Sequence, residues 1–379
     1  MSGASNVQAQ EGLEGVVAGD SAICLVDGER GRLVYRGYDV ADLAEHVTFE
    51  EVAYLLWHGE LPTRSALDAL RSALLRAGSI PGPALALLRE IPAGAQPMAV
   101  LRTMVSVLGH YDPEAGDGSP DANARKAVRL TAQVPAVIAA FHRLRTGGDP
   151  LAPRAGLSHA GNYLHMLGGK APDVQAARAL DVALILHADH EFNASTFAAR
   201  VTAATLSDLH STIVSAIGTL KGSLHGGANE DVMRLLERIG SPDRVEPVLL
   251  EMLEAKKKIP GFGHRVYRAE DPRAGFLRKM SEQLGEQSGD PLWYRLTRGV
   301  EEVMTSRRHI FANVDLYSAS VYRALGIPMD FYTPTFAVSR IAGWTAHVLE
   351  QYSDNRLIRP LAHYTGPNDR SYVPLEARG

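Results

Sequence analysis

Apolar residues in this chain recur mainly at the spacing of a helix. Between positions 335 and 351, Ala337, Ile341, Trp344 and Val348 follow one another at steps of four, three and four, which aligns them on one helical stripe. Val232, Leu235, Leu236 and Ile239 repeat the pattern, and so do Val174, Ala177, Leu180 and Leu184. Pro172, just ahead of the last set, and Pro150 and Pro153 farther back mark helix starts and loops. Strand-length runs are scarce. Ala22 to Val26 and Leu33 to Tyr35 are two of them, and the glycine-bounded Asp27-Gly28-Glu29-Arg30-Gly31 between them predicts a small hairpin. The expected fold class is mainly α with one small N-terminal β-hairpin, not a doubly wound sheet. Residues 1–20, small, polar and acidic, are expected to form a short arm.

The 379 residues suit one large or two ordinary domains. No internal repeat, low-complexity tract or serine- or proline-rich linker divides them. Glycines gather at 218–228 and 261–263, and Gly326-Ile327-Pro328 follows, so hinges are expected there. Apolar residues at 45% and charged residues at 22% describe an ordinary folded protein. The 39 basic and 43 acidic side chains leave a net charge of −4, which argues against a surface built to neutralise nucleic-acid phosphates. Cys24 is the only cysteine; it excludes an intramolecular disulfide and CxxC metal chemistry and suits a reducing compartment. The longest stretch without a charged side chain, residues 155–169, holds His159, Asn162 and His165 and falls short of the roughly 20 apolar residues of a membrane span. No basic residue precedes Arg30, so a cytoplasmic location is expected.

Three segments combine glycine, histidine and carboxylate in ways a core does not require. In Gly222-Ser223-Leu224-His225-Gly226-Gly227-Ala228-Asn229, glycines flank a histidine ahead of a helical run, where backbone can approach a ligand and free N–H groups keep an imidazole neutral. The plainer reading is a polar cap in a loop. In Lys256-Lys257-Lys258-Ile259-Pro260-Gly261-Phe262-Gly263-His264-Arg265, a basic run meets a glycine loop able to face a nucleotide, although it is neither a Walker loop nor a dinucleotide fingerprint; a solvated helix face is the alternative. In Asn313-Val314-Asp315-Leu316-Tyr317-Ser318, an acid between apolar residues opens a helix, where it serves either as a cap or as a base.

A fourth cluster, His187-Ala188-Asp189-His190-Glu191-Phe192-Asn193, is expected to put His187 and His190 one turn apart on a shared helix face. The spacing is that of neither common zinc-protease motif and supplies no third ligand, so no metal is expected and a ligand-facing histidine is the better reading. Arg340 and Arg359 are single arginines in apolar or proline-bounded surroundings.

Taken together, Ser-Leu-His-Gly-Gly-Ala-Asn at 223–229, Pro-Gly-Phe-Gly-His-Arg-Val-Tyr at 260–267 and Asn-Val-Asp at 313–315 closely resemble the citrate synthase family. The likeness extends, in order, to His-Ala-Asp-His-Glu at 187–191, Asp-Pro-Arg at 271–273, Phe-Ala-Val-Ser-Arg at 336–340 and Ile-Arg-Pro at 358–360. The resemblance implies a two-domain helical fold, with residues 1–220 and 325–379 as a large domain and 221–324 as an inserted small domain that closes over the substrates. It implies that Asp315 removes a proton from the methyl group of an acyl-CoA, that His225 hydrogen-bonds the resulting enolate, and that His264 polarises the ketone of oxaloacetate. His190, Arg273, Arg340 and Arg359 would hold the oxaloacetate carboxylates, Arg359 from the second subunit of a homodimer. The CoA adenine would lie against Lys258, Ile259, Pro260, Gly261 and Phe262. Coenzyme A is then a co-substrate, with no tightly bound cofactor, metal, nucleic acid or membrane partner.

The chemistry fits these residue types. A carboxylate of ordinary pKa near 4 is a weak base for a carbon acid, so a donor to the developing oxyanion, worth roughly 3–4 kcal/mol in a dry site, must share the task. Because the whole protein is acidic, local arginines must overcome its field to bind anionic substrates. Three alternatives remain at this level. A 2-methylcitrate synthase would use propionyl-CoA with the same motifs, one methylene being worth about 1–3 kcal/mol. A zinc hydrolase would use His187, His190 and Glu191, and a helical binding protein would have no catalysis.

Overall fold

The computed structural model describes residues 10–263 and 266–378. Near the N-terminus, β1 (Cys24–Asp27) pairs antiparallel with β2 (Arg32–Tyr35), Cys24 opposite Tyr35 and Asp27 opposite Arg32. A third strand, β3 (Tyr38–Asp39), adds to β2 with Val34 opposite Asp39, so the expected hairpin is a three-stranded meander. Its turn passes through Arg36 and Gly37 at φ +48° and +92°, and a two-residue strand is too short to leave a periodic signal.

The helices that follow are α1 (Val40–His46), α2 (Phe49–His58), α3 (Arg64–Ala77), α4 (Gly82–Glu90) and α5 (Pro97–Tyr111). The long α6 (Pro120–Arg145) leads to α7 (His159–Gly168), α8 (Val174–His187), α9 (Ala194–Ala203) and α10 (Leu209–Leu220). A further group consists of α11 (Ala228–Ile239), α12 (Val245–Glu254), α13 (Ala274–Ser288), α14 (Leu292–Arg308) and α15 (Val314–Ala324). The last helix is α16 (Tyr332–Ser353). Mainly α architecture is thus the observed fold.

Local chemistry sets the boundaries that matter for the site. Asp173 accepts the Ala176 N–H at 2.7 Å and starts α8 directly after Pro172. Asn313 caps α15 by accepting the Asp315 N–H at 3.0 Å, so Asn313, and not Asp315, is the capping residue. Helix α16 carries the expected stripe but is buried on almost every side, as a helix at the centre of a bundle must be. It packs against α2, α5, α6, α8, α9 and α10. At Gly343 a Cβ would stand 2.3 Å from the Ala188 carbonyl oxygen, so only glycine lets α16 lie this close to the end of α8. That approach brings Arg340 beside the 187–190 segment.

Helices α11 to α15 pack chiefly on one another and meet the rest of the chain through α13 and α15 on α8 and through α11 on α16. Beyond α16, residues 354–378 run without α-helix, almost wholly exposed, and carry Leu361, Tyr364, Tyr372 and Leu375 into solvent. Among the described residues, no helix is long and apolar enough to cross a membrane.

Candidate active site

Asp315 occupies the first turn of α15, where the backbone is held from two sides. The Val314 N–H donates to Asp271 Oδ2 at 3.1 Å, beside the Asn313 cap on the Asp315 N–H. The glycine loop is stitched to the same segment. Asn313 N–H donates to the Gly261 carbonyl at 3.0 Å, Asn313 Nδ2 donates to the Gly263 carbonyl at 2.9 Å, and Phe262 bridges to Ala312. Each of these carbonyls spends one lone pair on Asn313. Gly261, at φ +83°, would set a Cβ 3.0 Å from the Leu316 Cα, so the loop sits on α15 only because the residue is glycine. Ile259 is buried, Lys258 is exposed and Phe262 is half-buried at the loop surface.

Asp315 is half-buried. Burial pushes its pKa up to about 6; Asp271 adds to the rise, while the charges of Arg273 and Arg340 oppose it. Arg273 and Asp271 are both buried and form a bidentate pair, Nε to Oδ1 at 2.9 Å and Nη2 to Oδ2 at 2.8 Å. Burial works against the Arg273 cation, but the Asp271 carboxylate outweighs it and holds the pKa above the usual guanidinium value. The Tyr267 ring lies 6.0 Å from the Arg273 guanidinium on one side and 5.6 Å from the His190 ring on another, which unites two of the expected oxaloacetate ligands.

Arg340, on α16, is buried, donates from Nε to the His187 carbonyl at 2.8 Å and lies 4.7 Å from the Phe336 ring centre. Burial pulls its pKa down and the Asp189 carboxylate counters. Asp189, itself buried, is held 3.0 Å from His347 Nε2; although burial would raise its pKa, His347 and Arg340 bring it below the usual carboxylate value.

His225 sits in the turn ahead of α11. The neighbouring Gly226 makes a close approach, but to protein and not to a ligand: a Cβ there would stand 2.4 Å from the Leu220 carbonyl oxygen. Burial, with the charge of Arg340 second, lowers the His225 pKa to about 4, so the imidazole is neutral. Its Nε2 receives the Ser195 backbone N–H at 3.2 Å and lies 2.8 Å from Ser195 Oγ, which also accepts the Trp344 indole N–H at 3.0 Å. A ring nitrogen facing a backbone N–H must present a lone pair, and the imidazole proton therefore belongs to Nδ1.

The structure thus joins Asp315, Arg273, Arg340 and His225 through shared fields, and His190 through Tyr267. His264, with Arg265, lies outside the described residues. Arg359 is exposed in the segment after α16 and does not reach these groups within its own chain. His187 and His190 do not share a helix face. Helix α8 ends at His187, and the chain turns through Glu191 at φ +56°. His187 is sealed among Phe336 and Tyr322, its Nδ1 donates to the Ala183 carbonyl at 2.8 Å, and burial lowers its pKa to about 3. Among the described residues, no group of three or more His, Cys, Asp or Glu side chains is arranged to hold a metal. Sequence reasoning missed Ser195, Trp344, Tyr267, Asp189 and the role of Asp271. Asp271, Asp189 and Tyr267 lie inside the motifs quoted from the sequence, whereas Ser195 and Trp344 left no signal of this role.

The sequence model described as "Citrate synthase, C-terminal domain" matches residues 12–361. Citrate synthase 2 of Bacillus subtilis is 49% identical over 371 residues, covering 98% of this chain and 99% of that protein. A 2-methylcitrate synthase of Shewanella oneidensis is 44% identical over 368 residues, covering 97% of each. Among solved structures, the ternary complex of carboxymethyl coenzyme A and oxaloacetate with citrate synthase from Thermoplasma acidophilum superposes with a TM-score of 0.92 at 32% identity, over 98% of this chain and 100% of that one.

Proposed function

The chain belongs to the citrate synthase family, and on that premise we propose that it condenses acetyl-CoA with oxaloacetate and water to give citrate and free CoA. Asp315 takes a proton from the acetyl methyl group, and its burial-raised pKa of about 6 makes it a stronger base than an ordinary aspartate. The His225 Nδ1–H donates to the thioester oxygen as negative charge gathers there; a neutral donor does this without first giving up its proton. The enolate carbon attacks the oxaloacetate ketone, whose oxygen His264 polarises, and water then hydrolyses the citryl-CoA thioester. Arg273, Arg340 and His190 hold the oxaloacetate carboxylates.

The observation that carries this reading is a carboxylate raised by burial and a neutral imidazole that both lie in the field of the buried Arg340, with the buried Arg273 acting on the carboxylate as well. The tie between residues 261–263 and 311–313 supports CoA adenine binding at Lys258–Phe262, because the loop and the base then move as one piece. The mutual packing of α11 to α15 supports residues 221–324 as the small domain, which closes on residues 1–220 and 325–379 and excludes water. The exposed 354–378 segment, which carries Leu361, Tyr364, Tyr372 and Leu375 into solvent, supports a homodimer in which Arg359 completes the other subunit's site. The single cysteine supports a reducing, cytoplasmic location.

Relatives carry both the citrate and the 2-methylcitrate name, and acyl preference is decided by assay. Thiol release from acetyl-CoA that depends on oxaloacetate, at a higher kcat/KM than with propionyl-CoA, is the expected result. A large propionyl advantage overturns the acetyl assignment; thiol release without oxaloacetate overturns the condensation.

A further inference from the structure

A cavity of about 470 Å³, lined by none of the residues of the candidate active site, lies between α3, α6, the 153–158 loop and the first turn of α7. Its volume is that of a small-molecule site. Three polar atoms of its lining residues have no hydrogen-bond partner: Glu50 Oε2, Arg71 Nε and His159 Nε2. Glu50 is 1% exposed and His159 9% exposed, so two of the three belong to side chains more than nine-tenths buried. Native proteins rarely leave such atoms without a partner.

Each group is held in place. Glu50 Oε1 accepts the His159 backbone N–H at 3.0 Å, which pins the carboxylate across the start of α7. The His159 ring stacks on Phe49 at 5.2 Å and cannot swing away. Burial lowers the His159 pKa, so the ring is neutral and contributes no charge. Arg178 is engaged by Asp181 at 2.8 Å and by the Val47 carbonyl at 2.7 Å. Arg71 Nε ion-pairs with Glu50 Oε1 at 3.5 Å and its Nη2 donates to Thr48 Oγ1 at 3.4 Å, which leaves Nη1 for a ligand, and Arg154 is exposed on the cavity wall.

The lining therefore presents two guanidiniums, one carboxylate and one neutral imidazole. We propose that this cavity binds a small hydroxy- or amino-dicarboxylate, with carboxylates on Arg71 and Arg154 and its hydroxyl or ammonium donor on Glu50 Oε2. The chemistry excludes simpler occupants. A cation would face two arginines, a plain dicarboxylate would leave Glu50 Oε2 unpaired against its own charge, and an uncharged polyol would leave Arg154 without an anion.

The test uses the full chain labelled with [¹³C-methyl]methionine, because Met166 lines this cavity and its methyl group reports occupancy apart from any binding in the active cleft. L-malate and L-aspartate probe the hydroxy and amino forms, and succinate is the control without a donor. A saturable Met166 shift is expected with malate or aspartate, with succinate binding at least about tenfold more weakly. Arg71→Gln is expected to weaken binding at least about tenfold while oxaloacetate-dependent thiol release is unchanged. Arg154→Gln, on an exposed side chain, gives the same loss should Arg71→Gln fold poorly. No Met166 shift with either acid, equal binding of succinate, or full affinity in the arginine variants overturns the proposal. None of these results bears on the condensation, which thiol release measures separately.

Discussion

Replacing Ser195 with alanine tests how the proton donor is set. Ser195 Oγ lies 2.8 Å from His225 Nε2, accepts the Trp344 indole N–H at 3.0 Å and lies 2.8 Å from Asn193 Oδ1. Asn193 Oδ1, which also receives the Thr196 N–H at 3.2 Å, and His225 Nε2 share the single hydroxyl proton of Ser195. Ser195→Ala removes one of the two donors that hold Nε2 as a lone pair, and the backbone N–H remains. One such bond is worth about 1 kcal/mol, or up to roughly tenfold in tautomer ratio. Complete loss of an oxyanion donor costs about 100- to 1,000-fold in kcat. A partly freed ring is therefore expected to lower kcat by no more than about tenfold and to leave the KM for oxaloacetate within about twofold, because the role proposed for His225 is at the thioester. The unpaired Trp344 N–H adds a stability loss of about 1–3 kcal/mol. Thiol-release kinetics, urea unfolding and ¹⁵N shifts of the His225 ring are the readouts. A wild-type ring protonated on Nε2, or a variant with raised KM and normal kcat, refutes the reasoning.

Asp315 must be ionised to act, so kcat/KM is expected to fall about tenfold per pH unit below about 6, and a profile flat to pH 5 contradicts this. Stability runs the other way: the folded pKa of about 6 exceeds the ordinary 3.8, so the contribution of this group is full below pH 4 and is lost as pH rises through 6. Asp315→Asn is expected to remove that slope from the stability curve relative to wild type. Asp271→Asn breaks the buried pair with Arg273 and is expected to cost about 3–5 kcal/mol in urea unfolding together with oxaloacetate affinity; a loss under about 1 kcal/mol contradicts the pairing. For the subunit exchange, Asp315→Asn and Arg359→Gln chains, each inactive alone, are expected to recover one working site per heterodimer when mixed. No recovery, or a monomer in sedimentation, removes the cross-subunit role of Arg359.

Much of this architecture is visible in local pattern. The stripe Ala337, Ile341, Trp344 and Val348 places α16, and the Ala22–Tyr35 stretch places β1 and β2, because burial on one face imposes a period. Features that depend on where a chain turns are less visible. His187 and His190 read as one face until Glu191 takes a left-handed conformation and α8 stops. The supports of His225 leave no trace in sequence, since Ser195 lies 30 residues before it and Trp344 on another helix. Gly226 signals close packing, and only the folded chain shows that its neighbour is the Leu220 carbonyl. The titratable motifs are legible because acid–base chemistry restricts residue types; the groups that tune them are not, because burial and partners are properties of tertiary contact.

The central claim is that Asp315 takes the proton from carbon, and it is tested most directly by Asp315→Asn assayed for both turnover and oxaloacetate binding. Turnover at least about 100-fold lower, with oxaloacetate affinity close to wild type, is the expected result, since the amide keeps the shape of the side chain and lacks its basicity. Turnover near the wild-type value would contradict the assignment of the base.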